Sequence, residues 1–197
     1  MTEQAGASPR RRRADARRNV DALVTAARTV FDTSGVDAPA KEIADLAGVG
    51  VGTLYRHFPL RSDLVIAVVE SGIDACAAAA RELGAVHEPG EALAEWLRQY
   101  TLFLGTKRGL APALHSGDPA YEALPGYFLE KLTPALTALL GDAAASGAVR
   151  DDIGAHDLLY AIANLCMPVP GAGPEYSRRM VDLLIDGLRV PHRGPAR

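Results

Sequence analysis

The sequence predicts an all-α protein of about nine helices, a short three-helix unit followed by a longer helical bundle. Three observations carry this. Alanine fills long stretches, and β-branched residues never gather into alternating runs, which favours helix over strand. Apolar residues recur at helical spacing. Glycine and proline cut that pattern where helix ends are wanted. With 197 residues, 48% of them hydrophobic, the chain has ample material for a buried core and is unlike a disordered one.

Residues 1–14 read as a flexible basic arm. Val20, Leu23, Val24, Ala27, Val30 and Phe31 then recur on one helical face, with arginine and aspartate opposite. Gly35 stands where a left-handed residue stops a helix. Asp37-Ala38-Pro39 restarts the chain, since aspartate can cap and proline suits a first helical turn. A short second helix over 39–47 buries Ile43, Ala44 and Ala47, Gly48-Val49-Gly50 breaks it, and a third short helix carries Thr53 to His57. Pro59 ends that one, and a long fourth helix runs from Ser62 or nearby to about Leu83. Beyond Glu88-Pro89-Gly90, a stripe of Leu93, Trp96, Leu97, Tyr100 and Leu104 predicts a fifth helix. Glycine and proline punctuate 105–125, so short helices and turns are expected there. A helix over 127–145 is either kinked by Pro134 or restarted at it. Two further helices are expected over 156–167 and 175–189. The implied division is an arm (1–14), a first domain (15–64), a bundle (65–190) and a tail (191–197).

The net charge of −3 conceals an asymmetry. Met1–Arg18 holds six arginines against Glu3 and Asp15, a surplus of four positive charges that leaves the remainder at −7. A mildly acidic body with one basic arm suits a protein that meets a polyanion at one end; on charge alone a solubilising tail fits as well. No apolar run approaches the ~20 residues that span a bilayer, and no apolar core follows Arg10–Arg13 as an export signal would need. A soluble, cytoplasmic protein with no membrane partner is therefore expected. Cys76 and Cys166 lie far apart in apolar, helix-like stretches and read as ordinary buried thiols.

Several chemistries lack their residues. Gly48-Val49-Gly50-Val51-Gly52 imitates a nucleotide-binding loop, but the third glycine of G-x-G-x-x-G falls on Thr53, and a helix rather than a strand precedes it. H-E-x-x-H, C-x-x-C and G-x-S-x-G are absent. His57, His87, His115, His156 and His192 have no metal-ligand spacing. No enzyme activity, metal or cofactor is expected.

Two helices of roughly eight residues are too short to stand alone and persist only when packed across a third. Ala44 and Gly48 permit a close crossing, and Val49 and Leu54 point into a shared core. This is helix-turn-helix geometry, in which the second helix can enter a DNA major groove. The whole stretch from Val20 to Leu64 resembles the DNA-binding domain of the TetR (tetracycline repressor-like) family. The matching elements are Ala26-Ala27 with Phe31, Ile43-Ala44, Ala47-Gly48-Val49, Gly52-Thr53-Leu54-Tyr55-Arg56-His57-Phe58, and Arg61. Lys107-Arg108-Gly109-Leu110-Ala111 is similar to a segment of the SbtR-like C-terminal subgroup.

The resemblance implies a homodimeric repressor that a small organic effector releases from a palindromic operator in double-stranded DNA. A DNA-binding activator or architectural protein without effector, and an enzyme on the same fold, are the alternatives. Gly50, Val51, Gly52, Thr53, Tyr55, Arg56 and His57 would line or flank the recognition helix. Arg56 could read guanine with two hydrogen bonds. His57 either donates to phosphate or is simply a helix C-terminal residue. Arg61 would hold a phosphate where the family usually has lysine, Lys41 would face the groove edge, and Arg10, Arg11, Arg12 and Arg13 would add arm contacts. Ala38, Pro39 and Gly50 depart from the family, which often has serine or threonine there, so cap hydroxyls are missing.

For the bundle, the resemblance implies an effector pocket and a dimer seam on the last two helices. Pocket candidates are Trp96, Tyr100, Phe103, His115, Tyr121, Tyr127, Phe128 and Asn164, an aromatic and aliphatic mixture suited to a partly apolar molecule. Leu158, Leu159 and Ile162 on one helix, and Met180, Leu183, Leu184, Gly187 and Leu188 on the next, make apolar faces wider than one core needs, and are the expected seam.

Overall fold

The structure, a computed structural model, describes residues 9–189, with side chains for all of these except 9–13, 107, 108 and 174. Among the described residues it is all-helical, with nine α-helices and two short 3-10 turns. It divides into two compact units. Of the described residues, the first holds those up to Val68 together with Gly109–Tyr121, and the second holds Val69–Arg108 and those from Glu122 to Arg189.

In the first unit, α1 (Pro9–Ser34) buries Leu23, Ala26, Ala27, Val30 and Phe31. Its backbone is helical from Pro9, inside the stretch expected to be a flexible arm, because no glycine or proline after Pro9 interrupts the helical pattern. Gly35 ends it as expected, at φ +79°, with its N–H donating to the Phe31 carbonyl at 3.1 Å. The short helices α2 (Ala40–Leu46) and α3 (Val51–His57) follow, α2 packing on α1 and α3 on α2. Ile43, Ala44 and Leu54 are buried at this crossing. Gly48 makes the turn between them at φ +68°, a conformation that costs a side-chain-bearing residue. Asp37 does not cap: Pro39 is the N-cap of α2, with no side-chain hydrogen bond, and Gly50 likewise leaves α3 without one. The fourth helix, α4 (Arg61–Val86), starts better secured, since Asp63 Oδ2 accepts the Leu60 N–H at 2.9 Å, half of a capping box.

The segment Gly109–Tyr121 joins this unit although it lies in sequence between helices of the other. It comprises the end of a 3-10 turn (Lys107–Leu110), the one-turn helix α6 (Ala111–Leu114) and a second 3-10 turn (Pro119–Tyr121). Leu110 is buried, and Gly109 stands against the backbone of α1 at Phe31. The expected bundle of 65–190 ran straight through this stretch, because its glycines and prolines announce turns but not where those turns pack.

In the second unit, α5 (Pro89–Thr106) is the central element. It packs on α7 (Leu124–Ala145), α8 (Ala155–Leu165) and α9 (Pro174–Leu188), and α8 packs on α7 and α9. Ala92, Leu93, Ala94, Trp96, Leu97, Tyr100 and Thr101 are all buried, most of the way round the helix, as a helix enclosed by others requires. Leu132, Leu136 and Leu139 of α7 and Val69 and Ile73 of α4 complete the core. Each such side chain contributes about 1.5–3 kcal/mol when fully removed from water. Pro134 lies inside α7, which runs on through it as one helix.

Candidate nucleic-acid interface and bundle sites

The recognition-helix candidates fall on one short element. Tyr55 is 55% exposed and Arg56 is exposed, and among the described residues neither side chain makes a hydrogen bond. Gly50 and Gly52 are exposed, and a Cβ added to either would meet nothing within 4 Å. Val51, Thr53 and His57 are half-buried. Behind this face, Leu54 is fixed in the core by the α1–α2 crossing. The face therefore combines an unsolvated anchor inside with a hydroxyl and a guanidinium outside, and both groups suit phosphate oxygens and base edges.

The basic residues around α3 differ in their freedom. Lys41 is exposed and its Nζ lies 2.5 Å from Asp45 Oδ2, an i,i+4 pair that a phosphate would have to share or displace. Arg61 is half-buried: its guanidinium donates to the Ala38 carbonyl and stands over the Phe31 ring, 5.6 Å from the centroid. The side chains of Arg10, Arg11, Arg12 and Arg13 lie outside the described residues. Sequence reasoning passed over Leu46 and Leu60, both exposed in the first unit. Leu60 follows Pro59 in a turn, where no helical periodicity marks a side chain as inner or outer.

Of the pocket candidates, the structure gathers Trp96, Tyr100, Phe103 and Phe128. Trp96 stacks on Tyr100 with centroids 5.5 Å apart, and Tyr100 lies 6.5 Å from Phe103 and 6.0 Å from Phe128. Trp96 and Tyr100 have no exposed surface. Both polar ends are satisfied internally: Trp96 Nε1 donates to the Cys76 carbonyl at 2.8 Å, and the Tyr100 hydroxyl to the Leu159 carbonyl at 3.2 Å. Burial pushes the Tyr100 hydroxyl well above the ordinary tyrosine range. Phe103 and Phe128 are half-buried at the edge of this stack.

Tyr127 is separate from that cluster in its bonding. Its hydroxyl donates to Asp74 Oδ1 at 2.8 Å, and Lys131 Nζ lies 5.1 Å from its ring centroid. Desolvation, then the hydrogen bond and charge of Asp74, weaken it as an acid and push its pKa up to about 12. Asn164 is exposed and donates to the Tyr160 carbonyl at 2.9 Å. His115 and Tyr121 belong to the first unit, His115 exposed and bonded to the Ala111 carbonyl at 2.8 Å.

The expected seam residues divide in two. Leu158, Leu159, Ile162 and Leu188 are buried in the second unit's own core. Leu183 is 66% exposed, Gly187 is exposed, and Met180 and Leu184 are half-buried. With Ile153 and Leu165, these last four line an apolar groove of about 410 Å³. Tyr160 and Met167, not expected in the seam, are exposed apolar residues on and just after α8. Two other grooves lie on the second unit: one of about 220 Å³ between α5 and α9, crossed by the Arg98–Asp182 ion pair at 3.1 Å, and one of about 670 Å³ between α4 and α7, where alanines share the lining with Arg81, Glu130, Lys131 and Asp142. No helix among the described residues is long and apolar enough to cross a membrane.

Residues 23–68 match the family model for bacterial regulatory proteins of the tetR family, and residues 88–190 match that for the C-terminal domain of SbtR-like transcriptional regulators. The chain is similar to a TetR transcriptional regulator from Streptomyces coelicolor, at 36% identity and a TM-score of 0.73 over 86% of this chain and 98% of that one. It is also similar to a TetR transcription regulatory protein from Mycobacterium vanbaalenii, at 35% identity and a TM-score of 0.69 over 90% and 99% of the two chains. An HTH-type transcriptional regulator of Staphylococcus aureus is 40% identical over 63 residues, 32% of this chain and 34% of that protein. The match thus spans about a third of the length of that curated relative.

Proposed function

Because this chain belongs to the TetR family of bacterial regulatory proteins, we propose that it is a non-enzymatic transcriptional regulator that acts in the cytoplasm as a homodimeric repressor on a palindromic DNA operator. The observation that carries this reading is the exposed Tyr55–Arg56 face of α3, mounted on a helix pair whose buried side packs through Ile43, Ala44 and Leu54. A seven-residue helix has no stability of its own, and the tertiary support it receives presents two polar side chains outward.

The groove beside Met180, Leu183, Leu184 and Gly187 supports the homodimer: an apolar strip left over after the core is filled is stabilised by a second copy. Two linked recognition helices bind two half-sites far more tightly than one. Release by a small, partly apolar effector follows only if the effector binds unequally to two arrangements of the protein. Its expected place is beside the half-buried Phe103 and Phe128 of the aromatic cluster.

One observation favours the alternative of a DNA-binding protein without effector. Trp96 and Tyr100 are fully enclosed and hydrogen-bonded, so they form a packed core. The experiment is selection of duplexes from a random-sequence pool, followed by sedimentation of the complex. Enrichment of a palindrome, with two chains per duplex, is the expected result. Enrichment of no sequence overturns the DNA-binding reading, and one chain per duplex overturns the dimer.

A further inference from the structure

The side chain of Arg61 is committed inward. It is the first residue of α4, where the family resemblance calls for a phosphate-holding cation, yet its guanidinium donates to the carbonyl of Ala38 and lies over the ring of Phe31. Both partners are buried, Ala38 at 4% and Phe31 at 1% exposure. They also belong to different parts of the first unit. Phe31 sits in the last turns of α1, and Ala38 is in the connection that leads into α2.

That connection is held by the buried side chains of Val36 and Ala38 but by few hydrogen bonds. Its backbone turns at Gly35, and the Ala38 N–H donates to the Gly35 carbonyl at 3.2 Å. The N-cap of α2 is Pro39, which offers no side-chain hydrogen bond, and Ala38 carries no hydroxyl. A second tie, from Ser34 Oγ to Glu42 Oε1 at 3.1 Å, is solvent-exposed. A charge-assisted hydrogen bond to a buried carbonyl is worth more than an exposed neutral one. A guanidinium can lie over a ring while its N–H groups donate within its own plane, which an ammonium cannot reproduce.

We infer that Arg61 is a positioning residue for DNA binding: it clamps the α1–α2 connection to α1 and to the start of α4, and so sets the direction in which α3 presents Tyr55 and Arg56. The clamp stands in for the capping hydroxyls that Ala38 and Pro39 lack. The inference rests on the DNA-binding reading above and assigns to Arg61 a task different from phosphate contact. A misdirected recognition helix still carries Arg56 to the phosphates, whereas its base contacts fall out of register. Loss of the clamp therefore weakens specific binding selectively.

The test compares wild type, Arg61→Lys and Arg61→Met on the duplex enriched by wild type and on its scrambled counterpart, across a salt series. Affinities are taken per folded molecule, at a temperature below each variant's melt, so a loss of stability alone moves neither the ratio of the two affinities nor the slope. Both variants are expected to bind the enriched duplex about tenfold more weakly, the effect of one charge-assisted hydrogen bond. Binding to the scrambled duplex and the slope of log Kd against log salt are expected to stay as in wild type. An Arg61→Lys protein that matches wild type overturns the clamp, and so does a slope in Arg61→Met reduced by about 0.9, the mark of one lost phosphate contact. If Arg61→Met does not fold, the lysine variant decides the matter alone. Failure of the wild type to enrich any duplex overturns the DNA-binding reading and this inference with it, which separates that failure from the failure of the clamp.

Discussion

Gly109 stands so close to Phe31 that a Cβ on the glycine would lie 2.2 Å from the Phe31 carbonyl oxygen. Seventy-eight positions separate the two residues in the sequence, and the contact attaches Gly109–Tyr121 to the helix that supports α2 and α3. The obstacle is backbone, which cannot turn aside as a flexible side chain can. Gly109→Ala should lower stability by about 1–3 kcal/mol, the usual cost of forced overpacking. Gly52→Ala is the contrasting case, because a Cβ there meets nothing within 4 Å. It should leave stability unchanged or raise it by up to about 1 kcal/mol through helix propensity. Urea unfolding of the two variants side by side checks the opposite signs.

The Arg56 side chain is exposed and among the described residues makes no hydrogen bond, so its removal leaves the fold intact. Arg56→Ala should cost about 1–3 kcal/mol of binding if it reads a guanine, with preference relaxed at one base pair per half-site. Repeating the duplex selection with the variant measures this. An equal loss on every sequence would assign Arg56 to phosphate.

Leu183 separates the seam from the core more cleanly than its buried neighbours on α9. At 66% exposure, a charge placed there is solvated in the single chain. The same charge enclosed between two copies is unpaired and costs several kcal/mol. Leu183→Glu should therefore leave the helical signal unchanged and convert dimer to monomer in sedimentation, with operator affinity falling as the linkage of half-sites is lost. A variant that stays dimeric moves the seam elsewhere.

Tyr127 gives a pH-dependent signature. Desolvation and the Asp74 carboxylate keep its hydroxyl protonated up to about pH 12, against an ordinary value of 10.0. The folded state thus holds this proton more tightly than the unfolded chain does. Its contribution to stability is fully present below pH 10 and is lost as pH rises through about 12. Ultraviolet titration of phenolate absorbance should show Tyr127 ionising late, and Asp74→Asn should shift that step toward 10. An unshifted step would break the link to Asp74.

Much of this was legible in the sequence because it is local. Helical period places Leu23, Ala27, Val30 and Phe31 on the inner face of α1, and the backbone freedom of glycine places the turns at Gly35 and Gly48; both effects act within a few residues of the chain. The order of Ile43-Ala44, Gly48 and Leu54 then identifies the short helix pair and its outward Tyr55–Arg56 face. Tertiary structure alone decided what covers each apolar stripe. Leu158, Leu159 and Ile162 read as surplus seam yet fill the core, whereas Leu183 on α9 is left outside. The same holds for partners distant along the chain: Arg61 with Ala38, Trp96 with the Cys76 carbonyl, Tyr100 with that of Leu159. Periodicity fixes which residues share a face, but the energy of that face depends on atoms brought to it by loop closure from elsewhere in the chain, and no local rule encodes their identity.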